Sequence, residues 1–265
     1  MELPVNCFKR AIVAGPAQIG LWVALGNAYC AELAATAGFD WLLVDAEHGP
    51  NDVLTVLGQL QAVAPYPSQA VVRPPAGDPV LIKRYLDIGA QSLLVPMVDT
   101  AEHARELAAA TRYAPQGFRG MATMTRAARW TRVGDYVARA REEICLIPQI
   151  ETVRGIENLD AIAGTDGVDA VFVGPADLSA SMGYAGRANH PAVVAEVERA
   201  IRRIQAAGKP AGILSQDEAV ARRYLALGCK FVAVGVDAVI FARSLDALRH
   251  RFLGGEAPAA GGPAY

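Results

Sequence analysis

Lysine is scarce in this chain of 265 residues, confined to Lys9, Lys83, Lys209 and Lys230. The last two directly precede predicted strands, which puts them at the wrong end of a sheet for α/β chemistry. No lysine remains to form a Schiff base with a carbonyl substrate or with pyridoxal. Histidine and cysteine number 4 each. Cys7, Cys30, Cys145 and Cys229 lie far apart, show no C-x-x-C spacing and mostly sit in apolar stretches, which excludes structural zinc and fits reduced, buried thiols. The formal charge is −2, with no basic block or basic–aromatic stretch, so the footprint expected for nucleic-acid binding is missing. No apolar run approaches the roughly 18 residues of a membrane span, and the opening MELPVNCFKR lacks the apolar centre of a signal peptide. The expectation is a soluble, cytoplasmic protein with neither nucleic-acid nor membrane partners. Also absent are G-x-G-x-x-G, G-x-S-x-G and a glycine pair after either of the last two strands. Their absence excludes a nucleotide cofactor, a serine nucleophile and a phosphate cradle.

What the chain has in quantity is apolar side chains, 52% of residues, enough to bury one full core. Residues 1–265 are read as a single domain, with the Gly- and Ala-rich stretch 254–265 as a mobile tail. Strands are predicted at Gln18–Ala24, Trp41–Asp45, Gln69–Pro74, Ser92–Pro96, Cys145–Glu151, Ala170–Pro175, Pro210–Ser215 and Phe231–Asp237. Helical patterns fall at Ala28–Ala37, Asp52–Ala64, Pro79–Ile88, Ala101–Tyr113, Ile156–Ile162, Pro191–Ala207, Asp217–Leu227 and Val239–Phe252. Four phrases, AGFDWLLVD, IGAQSLLVP, DGVDAVFVG and LGCKFVAVG, each place a glycine just before an apolar strand, as a left-handed helix C-cap followed by a parallel strand requires. Strand and helix alternating through the chain predict an α/β fold, a (β/α)8 TIM barrel, over a doubly wound sheet. The segment Ala114–Arg132 is too long for an ordinary connection and is expected to be a functional excursion or a subunit contact.

In a barrel the chemistry sits at the carboxyl ends of the strands. Read there in order, the polar residues are Trp22, then Asp45-Ala46-Glu47-His48, Arg73, Gln149 with Glu151, Gly174-Pro175-Ala176-Asp177, and Ser215-Gln216. Carboxylates at strand ends often cap helices, but Glu151 and Asp177 follow neighbouring strands beside Gln149, with no His or Cys partner. An all-oxygen set with open positions suits Mg²⁺, Mn²⁺ or Co²⁺ better than a closed zinc site. His48 is the only histidine after a predicted strand, and either Asp45 or Asp87 could orient it as a general base. Arg73 suits recognition of a carboxylate or a developing oxyanion, or a bridge between strands. Gly174 permits close backbone approach, and the amides near Ala176 could hold a carboxylate.

The segments FDWLLVDAEHGPND, VVRPPAGDP, GAQSLLVPMV, IPQIETVRGIENL and VFVGPADLSASMGY resemble the HpcH/HpaI aldolases, metal-dependent class II pyruvate aldolases, from about Phe8 to Phe252. The resemblance implies retro-aldol cleavage of a 2-oxo acid to pyruvate and an aldehyde. APYPSQ, YAGRANHP and Tyr265 point to 4-hydroxy-2-oxoheptane-1,7-dioate as substrate, although aldolases of 2-keto-3-deoxy sugar acids share every catalytic motif. It also implies Glu151 and Asp177 as metal ligands, His48 as proton acceptor, Arg73 as transition-state stabiliser, Gln149 and the Ala176 amide as substrate contacts, and Asp87 as the residue raising the basicity of His48. The implied assembly is a homohexamer, a dimer of trimers with an exchanged C-terminal helix. That assembly matters because topology places Asp87 at the far end of the barrel from His48 within one subunit. Ala46 departs from the glycine common before Glu-His. A phosphoenolpyruvate-type lyase would need a phosphate anchor, and a non-catalytic oxo-acid-binding barrel would have no need of His48.

Overall fold

A computed structural model describes residues 1–254. Strands β1 (Gln18–Val23), β2 (Trp41–Asp45), β3 (Gln69–Arg73), β4 (Ser92–Val95), β5 (Cys145–Ile150), β6 (Val171–Val173), β7 (Ala211–Leu214) and β8 (Phe231–Val236) form a closed parallel barrel in sequence order. Strand β1 pairs with β8 to close it. The helices are α1 (Cys7–Ala14), α2 (Ala28–Thr36), α3 (Val53–Val63), α4 (Pro79–Asp87), α5 (Ala101–Thr111), α6 (Tyr136–Arg139), α7 (Val153–Glu157), α8 (Leu159–Ala163), α9 (Pro175–Ser181), α10 (Pro191–Ala206), α11 (Glu218–Ala226) and α12 (Asp237–Leu253). The fold is therefore the (β/α)8 barrel expected from the sequence. The tail assigned to 254–265 lies, beyond Gly254, outside the described residues.

Local chemistry explains where the elements begin and end. Asn27, Asp52, Asp78, Thr100, Thr152 and Asp217 each accept hydrogen bonds from the first-turn amides of the helix they precede. Gly38, Gly89, Gly167 and Gly228, the glycines of the repeated phrase, have φ of 83°, 98°, 94° and 98°. A side chain is strained in that region, so Gly38, Gly89 and Gly228 stop α2, α4 and α11 and release the chain into the next strand, whereas Gly167 lies in a turn beyond α8, which ends at Ala163 with Gly164 as its cap. The expected helix 156–162 is instead two short ones, α7 and α8, meeting at Asn158, whose Nδ2 donates to the carbonyls of Asp99 (2.8 Å) and Arg154 (3.1 Å).

Two apolar layers hold the barrel. The outer one, including Val44, Val72, Leu93, Val171 and Val232, lies between strands and helices. The inner one holds Trp41, Leu43, Val71, Ile147, Phe172 and Phe231. Large rings fit because glycines face them: a Cβ on Gly20 would stand 2.2 Å from the Trp41 ring, and one on Gly212 would stand 2.1 Å from Phe231. Helix α1, which periodicity did not reveal, sends Phe8 and Ile12 into this inner layer, with the Phe8 ring centred 5.6 Å from both Trp41 and Phe231. Burying two such side chains contributes about 1.5–3 kcal/mol each.

Two regions keep apolar side chains outside the core. The excursion exposes Phe118, Met121, Met124 and Trp130. Helix α12 buries none of its residues, and Phe241, Leu245, Leu248 and Phe252 recur along one stripe. Among the described residues, no helix is long and apolar enough to cross a membrane.

Candidate active site

Strand β2 ends in Asp45, and the turn after it is wound around that carboxylate. Asp45 Oδ1 accepts from the amides of Glu47 (3.0 Å) and His48 (3.4 Å), while Asn51 Nδ2 donates to the Asp45 carbonyl (2.6 Å). Residue Arg73, paired with Asp45 in register on β3, completes a buried fork: Nε donates to Oδ1 (2.9 Å) and Nη2 to Oδ2 (2.7 Å). Trp22 Nε1 also donates to Oδ2 (3.2 Å), and the Trp22 ring lies 4.8 Å from the guanidinium carbon. Burial alone would raise the Asp45 pKa, but the hydrogen bonds and charge of Arg73, with the two amides, hold it below its ordinary value. Arg73 in turn stays charged despite burial because Asp45, Glu47 and Glu151 surround it.

Across the barrel mouth, Glu151 follows β5 and is 1% exposed. Gln149 Nε2 donates to its Oε2, and the amide of Met97 donates to Oε1 (2.7 Å) from a left-handed residue with φ 57°. Burial nevertheless pushes the Glu151 pKa up to about 7, the hydrogen bonds opposing and the charges of Asp177 and Glu47 adding. Gly174 brings the next strand end against this carboxylate: a Cβ there would lie 2.6 Å from Glu151 Oε2 and 3.3 Å from Gln149 Nε2. It also opens α9, whose N-terminus carries Pro175, Ala176 and Asp177 and has no side-chain cap. The GPAD sequence is thus a helix start, a feature hidden by its shortness.

Trp22, His48, Arg73, Gln149, Glu151, Gly174, Ala176 and Asp177 line one pocket, floored by Phe172 and Leu214. Eight of the predicted site residues therefore meet. Asp45 supports the pocket from behind Arg73, and it reaches His48 through the backbone amide, both its oxygens being engaged by Arg73. Asp87 does not reach His48 within the chain. It lies at the C-terminal end of α4, and its Oδ1 accepts from Nη2 of the buried Arg119 (2.6 Å), whose guanidinium stacks over Tyr113 and Tyr136. Two contributors escaped sequence reading. Glu47, with Oε2 2.9 Å from Arg73 Nη1, sits between two residues already singled out, whereas the Met97 amide has no side-chain signal. A roomier cleft bounded by Asn6, Ser68, Gln91, Arg126 and Glu143 contains none of the predicted site groups.

The donor set fits a hard divalent cation. Glu151 and Asp177 face one pocket, burial with the added charges of Asp177 and Glu47 raises the Glu151 pKa, and the buried Gln149 Oε1 has no hydrogen-bond partner. Among the described residues no cluster of three or more His, Cys, Asp or Glu could close around a metal. Two carboxylates are the complement of an open site, with the remaining positions left to water and substrate oxygens.

A parallel barrel with buried carboxylates, an arginine fork and a histidine at its carboxyl mouth carries the polar groups of an enzyme site where such barrels place their chemistry. Residues 18–244 match the HpcH/HpaI aldolase/citrate lyase family, and the chain belongs to that family of carbon–carbon lyases. It is 59% identical, over 100% of both chains, to a hydroxypyruvate/pyruvate aldolase of Pseudomonas aeruginosa. It is 58% identical to a 4-hydroxy-2-oxo-heptane-1,7-dioate aldolase of Salmonella arizonae, over 93% of this chain and 94% of that one. Among solved structures, an HpcH/HpaI aldolase/citrate lyase family protein from Burkholderia cenocepacia superposes with a TM-score of 0.90 at 39% identity, covering 93% of this chain and 99% of that one.

Proposed function

We propose that this chain is a divalent-metal-dependent pyruvate aldolase that reversibly cleaves 4-hydroxy-2-oxoheptane-1,7-dioate to pyruvate and succinate semialdehyde. The observation that carries the reading is the convergence of Glu151, Asp177, Gln149, Arg73 and His48 on one pocket that has no lysine among its described lining residues. Glu151 and Asp177 would hold Mg²⁺, Mn²⁺ or Co²⁺, and the cation would supply the charge that lowers the energy of an enolate. Gln149 and the Ala176 amide hold the substrate carboxylate. Arg73, kept in place by Asp45, faces the developing enolate oxygen as a preorganised cation. His48 takes the proton of the C4 hydroxyl as the C3–C4 bond breaks. The electron pair of that bond passes into the enolate, the aldehyde leaves, and protonation at C3 gives pyruvate.

The 59% relative named for hydroxypyruvate supports a second reading, in which the same site uses hydroxypyruvate as the nucleophile in the addition direction. Both readings share the enolate and differ in the substituent on C3. The homohexamer with exchanged α12 is part of the same proposal, supported by the uncovered stripe on that helix; in it Asp87 would reach His48 of a neighbouring subunit.

The test separates the two charged helpers. Oxaloacetate decarboxylation needs the enolate but has no C4 hydroxyl to deprotonate. His48→Ala should lose aldol cleavage about 100-fold or more while sparing decarboxylation. Arg73→Lys should impair both, because a point charge replaces a planar fork. Equal loss of both activities in His48→Ala would remove its role as the base.

A further inference from the structure

Glu47 has no part in the reading above, yet its carboxylate is placed where charge matters most. It follows Ala46 in the turn after β2, with a side chain only 16% exposed. One oxygen, Oε2, lies 2.9 Å from Arg73 Nη1; the other, Oε1, lies 3.8 Å from His48 Nε2. Oε2 is buried and makes no aligned hydrogen bond. Arg73 already has its charge matched by the buried Asp45 fork on Nε and Nη2. Glu47 is therefore a surplus carboxyl group in a desolvated place, where burial raises its pKa against the pull of Arg73 and His48. The groups acting on it are Arg73 from β3, His48 and Asp45 from its own turn, and Asp177 from α9, with Glu151 coupled to it across the mouth. Of these, His48 is the group that becomes cationic during the proposed reaction.

We propose that Glu47 is a positioning residue that stabilises His48 in its protonated form and ties the imidazole to the Arg73 fork. When His48 takes the hydroxyl proton, the cation forms beside a waiting carboxylate, so proton transfer is favoured at the moment the carbon–carbon bond breaks. Arg73 keeps its orientation through Asp45, so the effect falls on the proton rather than on the enolate. The inference rests on His48 being the proton acceptor.

Glu47→Gln tests it, since the amide oxygen still faces Arg73 while the charge is gone. Glu47→Gln, His48→Ala and the parent protein would be compared for bound Mn²⁺, melting temperature, and the pH profiles of aldol cleavage and oxaloacetate decarboxylation. Expected for Glu47→Gln are unchanged Mn²⁺ affinity and melting temperature. The acid limb of cleavage should move down by about one pH unit with kcat lowered about 10-fold, and decarboxylation should stay within about 3-fold. An acid limb that does not move overturns the proposal, and so does a parallel loss of Mn²⁺, which would make Glu47 a ligand. If His48→Ala itself retains cleavage, the failure lies with His48 as acceptor.

Discussion

Replacing Asp45 with alanine should be among the most damaging changes to stability in the chain, although Asp45 does not line the pocket. Arg73 and Asp45 side chains are 5% and 1% exposed, and the fork between them has distances of 2.9 and 2.7 Å. Removing one member of such a pair strands the other charge away from water at a cost of about 3–5 kcal/mol. Glu47 remains near Nη1 without aligned hydrogen bonding, so its compensation is partial and the expected loss is about 3 kcal/mol. The Trp22 indole and the amides of Glu47 and His48 lose an acceptor at the same time. In a chain of this size that corresponds to a melting temperature lower by roughly 6–12 °C. Denaturant unfolding of Asp45→Ala, Arg73→Met and the double variant would measure it. The double variant should be no less stable than Asp45→Ala, since it removes the stranded cation along with its partner. Strict additivity of the two single losses, or a loss below about 1 kcal/mol in Asp45→Ala, would show that Arg73 is not stranded when Asp45 is removed.

Metal-free protein should lose stability as pH rises, because the folded state holds a proton on Glu151 that the unfolded chain releases. With its pKa moved from 4.5 to about 7, the contribution is full below pH 4.5 and is lost as pH rises through 7, about 3 kcal/mol in all. Unfolding of chelated protein at pH 5 and pH 8 measures this, and the same pH slope in Glu151→Gln would exclude Glu151 as its source. In a dilution series followed by light scattering and activity, the parent protein should be larger than a 28.0 kDa monomer and should lose activity as it dissociates. A fully active monomer would refute both the exchanged helix and the shared Asp87.

Much of the fold was legible because its signals are local. Apolar runs such as WLLVD and FVAVG bury both faces of a strand, and the glycines at 38, 89 and 228 mark helix ends, whereas Gly167 forms a turn after a helix that Gly164 has already capped. Helix α1 was not legible: Phe8 and Ile12 are two apolar positions in a short mixed segment, and what fixes them is the barrel interior above them. Much of the pocket was legible too, since strand ends converge in any parallel barrel. What the sequence could not rank was the competition among partners. Asp45 was a candidate to orient the His48 ring, but Arg73 lies directly opposite it in the β2–β3 register and takes its carboxylate. Asp87 likewise meets Arg119, delivered by a long irregular excursion whose path no periodicity encodes. Glu47 was masked by its neighbours, because a turn's side-chain directions depend on hydrogen bonds that form only with the rest of the barrel.

In the proposed mechanism Glu151 and Asp177 hold a cation without which the pocket makes no enolate. This is tested most directly by measuring pyruvate release from 4-hydroxy-2-oxoheptane-1,7-dioate in protein stripped by chelator and verified metal-free, then resupplied with Mg²⁺, Mn²⁺ or Co²⁺. Stripped protein should give no release above background, and the parent should recover on resupply. Glu151→Ala and Asp177→Ala should show no recovery. Full release from the verified metal-free protein, or a pyruvyl adduct on any lysine after borohydride reduction, would contradict that mechanism.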